Sequence, residues 1–102
     1  MRGGALQLAK YYLSPKPSDH NCPMTTLAMD AARSPKEGAF RAAYVDGLEH
    51  LVELIAGKPS SERRLTLLAA IVGASVLRKA TGECALMEEI EAAVLEFGRT
   101  VD

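Results

Sequence analysis

The sequence predicts an all-α protein of about five helices in one domain. Three observations predict it. Apolar residues recur at helical spacing, most plainly at Phe40, Tyr44, Leu48, Leu51 and Ile55. Proline and glycine stand where helices start and stop, at Pro23, Pro35, Gly57 and Gly82. No stretch alternates polar and apolar side chains as a half-buried strand does.

The first helix starts near Gly4, carries Leu6, Leu8, Ala9, Tyr12 and Leu13, and ends before Ser14-Pro15. Ser14 to Asn21 holds two prolines, Asp19 and His20, and reads as an exposed loop. Pro23 suits the first turn of a second helix, whose Met24, Leu27, Ala28 and Ala31 share one face. Ser34-Pro35-Lys36-Glu37 reads as a capping box opening a third helix, which Gly57 and Pro59 stop. Val45 and Val52 widen its apolar stripe, while Arg41, Asp46, Glu49, His50 and Glu53 take the solvent side. Ser60 or Ser61 caps the fourth helix, which ends at Gly82 with Arg78 and Lys79 at its negative pole. The fifth starts near Glu83, turns Leu86, Met87, Ile90, Val94 and Phe97 inward, and leaves Glu88, Glu91 and Glu96 mostly to water.

Composition narrows the function. The chain has 102 residues, 48% hydrophobic and 25% charged, enough for one modest core and too apolar for disorder. Its 12 basic and 13 acidic residues leave a net charge of −1, which supplies no basic patch for nucleic acid. Tryptophan is absent and aromatics are 5%, so no stacking platform for single strands is expected. Gln7 and Lys10 interrupt any signal-peptide core, and Leu65 to Leu77 is too short to span a membrane. Two cysteines, Cys22 and Cys84, are too few for a disulfide scaffold, so reduced thiols in the cytoplasm are expected.

Both cysteines fall at predicted helix N-termini, where the dipole favours a thiolate. A redox pair is one consequence; a small, buried side chain is the plainer one. His20 and Cys22 supply two metal ligands where a structural zinc needs four, and His50 lies on a solvent face. No Cys-x-x-Cys, His-Glu-x-x-His, phosphate-binding glycine loop or nucleophile elbow occurs. No catalytic set, metal site or cofactor is therefore implied, and the chain does not read as an enzyme.

The fourth helix is apolar almost all round, through Leu65, Leu67, Leu68, Ile71, Val72, Val76 and Leu77, with Ala69, Ala70, Gly73 and Ala74 among them. Such a helix must be covered all round, and four other helices can hardly do so. A partner chain is the natural cover. Gly73 costs about 1 kcal/mol relative to alanine in a helix interior, which close approach of a neighbour would explain, in a second subunit or within one chain.

The order Tyr12-Leu13-Ser14-Pro15, a polar loop, then Cys22-Pro23-Met24-Thr25-Thr26-Leu27-Ala28 resembles the regulatory domain of tetracycline-repressor-like transcriptional regulators. Leu67 to Ala80 is similar to the penultimate helix of that domain, and the resemblance extends from about Leu6 to Phe97. Asn21 stands where one branch of the family often has glycine. Family members begin with a helix-turn-helix domain that has no counterpart here, so the resemblance implies an inducer-binding and dimerisation domain that does not bind DNA by itself. It implies a small apolar or amphipathic ligand held by some of Tyr12, Cys22, Met24, Leu27, Phe40, Tyr44 and Leu48, with Cys22 a small residue and not a nucleophile. It also implies a homodimer in which the last two helices of each subunit form a four-helix bundle. The expected seam is Leu68, Ala70, Ile71, Gly73, Ala74 and Leu77 with Leu86, Ile90, Val94 and Phe97. A dimeric helical adaptor for a protein partner, and a thiol redox protein using Cys22 and Cys84, are the competing expectations.

Overall fold

A computed structural model describes residues 4–13, 23–56 and 61–101. They form α1 (Gly4–Leu13), α2 (Pro23–Thr26), α3 (Ala28–Arg33), α4 (Ala39–Ala56), α5 (Glu62–Thr81) and α6 (Ala85–Val101), with no strand among the described residues. The protein is all-α. The loop expected over Ser14 to Asn21 and the stop expected at Gly57 to Pro59 lie outside the described residues.

Two boundaries differ from expectation. The second predicted helix is broken at Leu27, where a turn (φ −104°, ψ 2°) separates α2 from α3. Thr25 and Thr26 just before it are β-branched and hold a helix poorly. The capping box at Ser34 does not form, and α4 starts at Ala39, not at Pro35. The residue before a proline is driven to extended backbone, and Ser34 sits at φ −79°, ψ 157°. Its hydroxyl points backward and donates to the Asp30 carbonyl at 2.7 Å, ending α3 instead of starting α4. Pro35 to Gly38 forms a turn closed by Gly38 N–H on the Pro35 carbonyl at 3.0 Å, and the Gly38 carbonyl accepts from Ala42 N–H to begin α4. Arg41 then reaches back and donates to the carbonyls of Ala31, Ala32 and Ser34 at 3.1, 2.9 and 3.1 Å. These carbonyls lie at the end of α3, where intrahelical donors run out, although that of Ala31 also accepts from the Ser34 N–H at 3.2 Å.

The later caps follow the sequence pattern. Ser61 Oγ accepts from Arg64 N–H at 3.4 Å at the start of α5. Gly82 ends α5 at φ 72°, a conformation glycine adopts without strain, and its N–H reaches the Arg78 carbonyl at 2.7 Å. The Cys84 carbonyl takes the N–H of Glu88 as α6 begins.

Helix α5 is the axis of the molecule, packing against α1, α2, α4 and α6. On one side, Leu67, Ile71 and Ala74 meet Ala9 and Leu13 of α1 and Val94 of α6 in the main core. Gly98 lies where α6 meets α1, and a Cβ there would make ordinary contact, 3.7 Å from Leu6 Cα. Toward the other side, α2 and α4 cover α5, and α3 packs on α4. Ile55 of α4 is fully buried, and its carbonyl accepts from Arg64 of α5 at 3.2 Å.

Arg78 fastens this assembly. Its Nη1 donates to the Leu13 carbonyl at the end of α1 at 2.7 Å, and its Nη2 donates to Glu83 Oε1 at 3.0 Å. Glu91 Oε2 lies 3.2 Å from Nη1, an ion pair outside good hydrogen-bond alignment. Glu91 is thus mostly buried against Arg78, a correction to its expected place on the solvent side of the last helix.

The molecule is flat, 38 × 35 × 20 Å, with a radius of gyration of 14.0 Å against about 13 Å for a compact chain of this length. Its accessible surface is 6750 Å², whereas a typical monomer of 10.9 kDa exposes about 5,600 Å².

Candidate functional site

Two regions hold the residues singled out by the sequence. The first is the junction of α2, α3 and α4. Met24 is buried, and its methyl would stand 3.2 Å from a Cβ built on Gly47, so the glycine makes room for it. Tyr44, one turn before Gly47, donates its hydroxyl to the Met24 carbonyl at 2.6 Å. That bond fastens α2, which is only one turn long, to α4. Leu48 is half-buried one turn further along. The structure therefore brings Met24 and Tyr44 together. Leu27 and Phe40 are instead 39% and 43% exposed, because Leu27 sits at the helix break and Phe40 on the first turn of α4. The side chain of Tyr12 and all of Cys22 lie outside the described residues.

Thr25 adds a feature that periodicity does not reveal. It is buried at 9% exposure, and its Oγ1 has no hydrogen-bond partner among the described residues. A buried hydroxyl without a partner is unfavourable by about 1–3 kcal/mol. Its signal in the sequence is only a polar residue between apolar ones, which many loops share.

The second region is the hairpin of α5 and α6. Its expected seam divides into two sets. Leu68, Ile71, Ala74 and Val94 are buried within the protomer, and Ile71, Ala74 and Val94 belong to its main core. Gly73, Leu77 and Leu86 are exposed, Leu77 by 45% and Leu86 by 61%. Leu86 thus departs from its expected inward position, because it lies in the first turn of α6, beyond the end of α5. Ala70, Ile90 and Phe97 are half-buried at the edge of the core. Phe97 is flanked by Arg63, whose guanidinium lies 5.1 Å from the ring centroid and also donates to Thr100 Oγ1 at 2.8 Å. A Cβ on Gly73 would meet nothing within 4 Å, so a tight contact inside one chain does not account for that glycine.

The outward face of α5 is continuous. Leu65, Thr66, Ala69, Gly73, Val76, Leu77 and Ala80 are all exposed and share one side of the helix, with no charge among them. Leu65 and Val76 are 38% and 42% exposed. From Leu65 to Ala80 this face runs about 22 Å.

Elsewhere, Cys84 is an exposed free thiol. His50 is exposed on α4, with its Nδ1 2.8 Å from the Asp46 carbonyl. That hydrogen bond, and then the Asp46 charge, raise its pKa above the ordinary histidine value. Among the described residues no group of three or more His, Cys, Asp and Glu could hold a metal ion. No described helix is long and apolar enough to cross a membrane. The chain matches none of the family models, curated proteins or solved structures with which it was compared.

Proposed function

We propose that this chain is a small-molecule-binding and dimerisation domain of the tetracycline-repressor-like kind. The observation that carries the proposal is the uncharged outward face of α5, to which the exposed Leu86 of α6 adds apolar surface. A contiguous apolar face of this length marks an interaction surface in a soluble protein. The chain exposes about 1,200 Å² more than a typical monomer of its mass, and a stable interface takes about 800 Å² from each partner. A second copy on the last two helices would bury an area of that order.

The ligand site proposed with it is the α2–α4 junction, where Tyr44 meets Met24, with Thr25 next to Met24 in the chain and half-buried Leu48 one turn beyond Tyr44. Met24 and Leu48 suit an apolar body. The unpartnered Thr25 hydroxyl suits one hydrogen-bonding group on the ligand. A second reading, an adaptor for a protein partner, draws on the exposure of Leu27, Met29 and Phe40 around the same junction. Those side chains would form an open docking surface. The net charge of −1 gives no electrostatic reason to expect DNA as the partner in either case.

Sedimentation at micromolar concentration, with and without Gly73→Arg, tests the proposal. The parent sediments as a dimer and the variant as a folded monomer. A monomeric parent, or a variant that dimerises equally well, refutes the dimer. Titration with anilinonaphthalene sulfonate, an amphipathic fluorescent probe, tests the ligand site: saturable binding weakens in Thr25→Val, whereas an open adaptor surface binds the probe alike in both.

A further inference from the structure

The outward face of α5 is not merely apolar; its residue types are arranged symmetrically about the position of Ile71. Ala69 and Gly73 lie two residues to either side, Thr66 and Val76 five, Leu65 and Leu77 six. Small side chains therefore stand at the middle, near-isosteric branched ones next, and a leucine at each end. We infer that two copies of α5 pack antiparallel through this face, with the two-fold axis crossing opposite Ile71. Ala69 of one protomer then lies against Gly73 of the partner subunit, Thr66 against Val76 of the partner subunit, and Leu65 against Leu77 of the partner subunit. The inference rests on the dimer proposed above and specifies its register.

Three further observations favour this arrangement. Gly73 has open space around it in the protomer, so a closely approaching backbone gives this mid-helix glycine a role that the fold of one chain does not. The ends of the face carry complementary charge. Glu62 precedes it and Lys79 adjoins its other end, both exposed. An antiparallel pair sets Glu62 opposite Ala80 of the partner subunit and next to Lys79 of the partner subunit, whereas a parallel pair brings like charges together. The helix dipoles also oppose one another in the antiparallel pair. The same register sets Arg63 level with Lys79 of the partner subunit, but the Arg63 guanidinium is turned toward α6 by its contacts with Phe97 and Thr100, and Arg64 is turned to the Ile55 carbonyl. An isologous contact of this kind closes on itself and leaves no free copy of the face for further growth.

Cross-linking reads the register directly. In a background of Cys22→Ser and Cys84→Ser, Thr66→Cys and Val76→Cys are introduced into separate, mass-tagged copies. Thr66 of one protomer and Thr66 of the partner subunit are then about 15 Å apart along the helix axis, as are the two copies of Val76, at 1.5 Å per residue. A short bismaleimide should cross-link the co-expressed mixture as heterodimers and leave each variant alone uncross-linked. Sedimentation of the same samples separates the two levels of the proposal. Dimers that fail to cross-link in the mixture, or that cross-link in either variant alone, overturn the register and leave the dimer standing. Absence of dimer in the parent chain overturns both. Should either variant dissociate, the mixture of Leu65→Cys and Leu77→Cys tests the same register one residue further out.

Discussion

The two sides of α5 use similar residues and do different things. On the core side, Leu67 is fully buried, Ile71 and Ala74 are 2% exposed, and Arg78 binds the end of α1. On the opposite side, Leu65, Val76 and Leu77 stand 38–45% exposed around the open Gly73. Hydrophobicity alone does not separate these sides, because both are apolar. Packing does: α1, α6, α2 and α4 cover the rest of the helix, and no described residue fills the outward face around Gly73. A helix apolar all round is thus informative as a statement of how much cover it needs, and the structure says where that cover is absent.

The largest effect expected from this difference compares two leucines. Leu67→Ala removes a fully buried side chain at the meeting of α1, α5 and α6, and should destabilise the protomer by about 3 kcal/mol. Leu65→Ala, on the open side, should change protomer stability by less than about 1 kcal/mol. Chemical denaturation at low protein concentration measures both. Equal losses would show that the open side is not open. At high concentration the Leu65 variant should lose the concentration-dependent part of its midpoint, because association stabilises by mass action.

Arg78→Met should follow, with a loss of about 2 kcal/mol, since it leaves the mostly buried Glu91 and the Leu13 carbonyl without their cation. The loss should be largest in α1, whose end Arg78 holds, and hydrogen exchange of the α1 amides measures that. Unchanged protection of α1 would mean that the Leu13 contact contributes little. Gly73→Ala is smaller and has two opposite signs. The new methyl meets nothing within 4 Å in the protomer, so helix propensity should raise protomer stability by about 1 kcal/mol. The same methyl at the closest approach of two α5 helices should weaken the dimer, read as a lower midpoint at high concentration despite a higher one at high dilution. A rise at both concentrations would exclude close packing at Gly73.

Much of this fold was legible, and the particular residues show why. Ser61 and Gly82 mark their helix ends because each can satisfy the backbone there in one way. Ser34 could satisfy either of two helices, the one ending or the one beginning, and its extended backbone fits both; its hydroxyl is taken by the Asp30 carbonyl of the helix that ends. The break at Leu27 was hidden because two threonines weaken a helix without forbidding it. Glu91 looked solvent-facing because its partner Arg78 is thirteen residues earlier, across a helix hairpin that periodicity does not fold. Of the candidate site, Met24 and Tyr44 could be placed together from the apolar faces of their helices. The hydrogen bond joining them could not, and neither could the unpartnered hydroxyl of Thr25. The seam residues were recognisable as a set, but a helix with no polar side does not declare which half turns inward.

The smallest expected effect belongs to His50, on the solvent side of α4 and away from both sides of α5. Its Nδ1–H donates to the Asp46 carbonyl, and Asp46, Glu53 and Glu49 surround it with negative charge, all of which favour the protonated ring. The folded pKa is therefore raised, and the sign of the linkage follows. The stabilisation is fully present below the ordinary histidine pKa and is lost as pH rises through the higher folded value. Because the ring is fully exposed, solvent screens the effect, and global stability should hardly register it. NMR titration of the His50 ring protons should nevertheless give a midpoint above that of His20-containing peptide from the same chain. Asp46→Asn should move the midpoint only part of the way back, because the backbone carbonyl, the larger cause, remains in place. A full return to the ordinary value would assign the shift to the carboxylate instead. If the dimer covers only the open side of α5, this titration should also be identical in the parent and in Gly73→Arg. A midpoint that moves with dimerisation would bring α4 into the interface and displace the seam from α5.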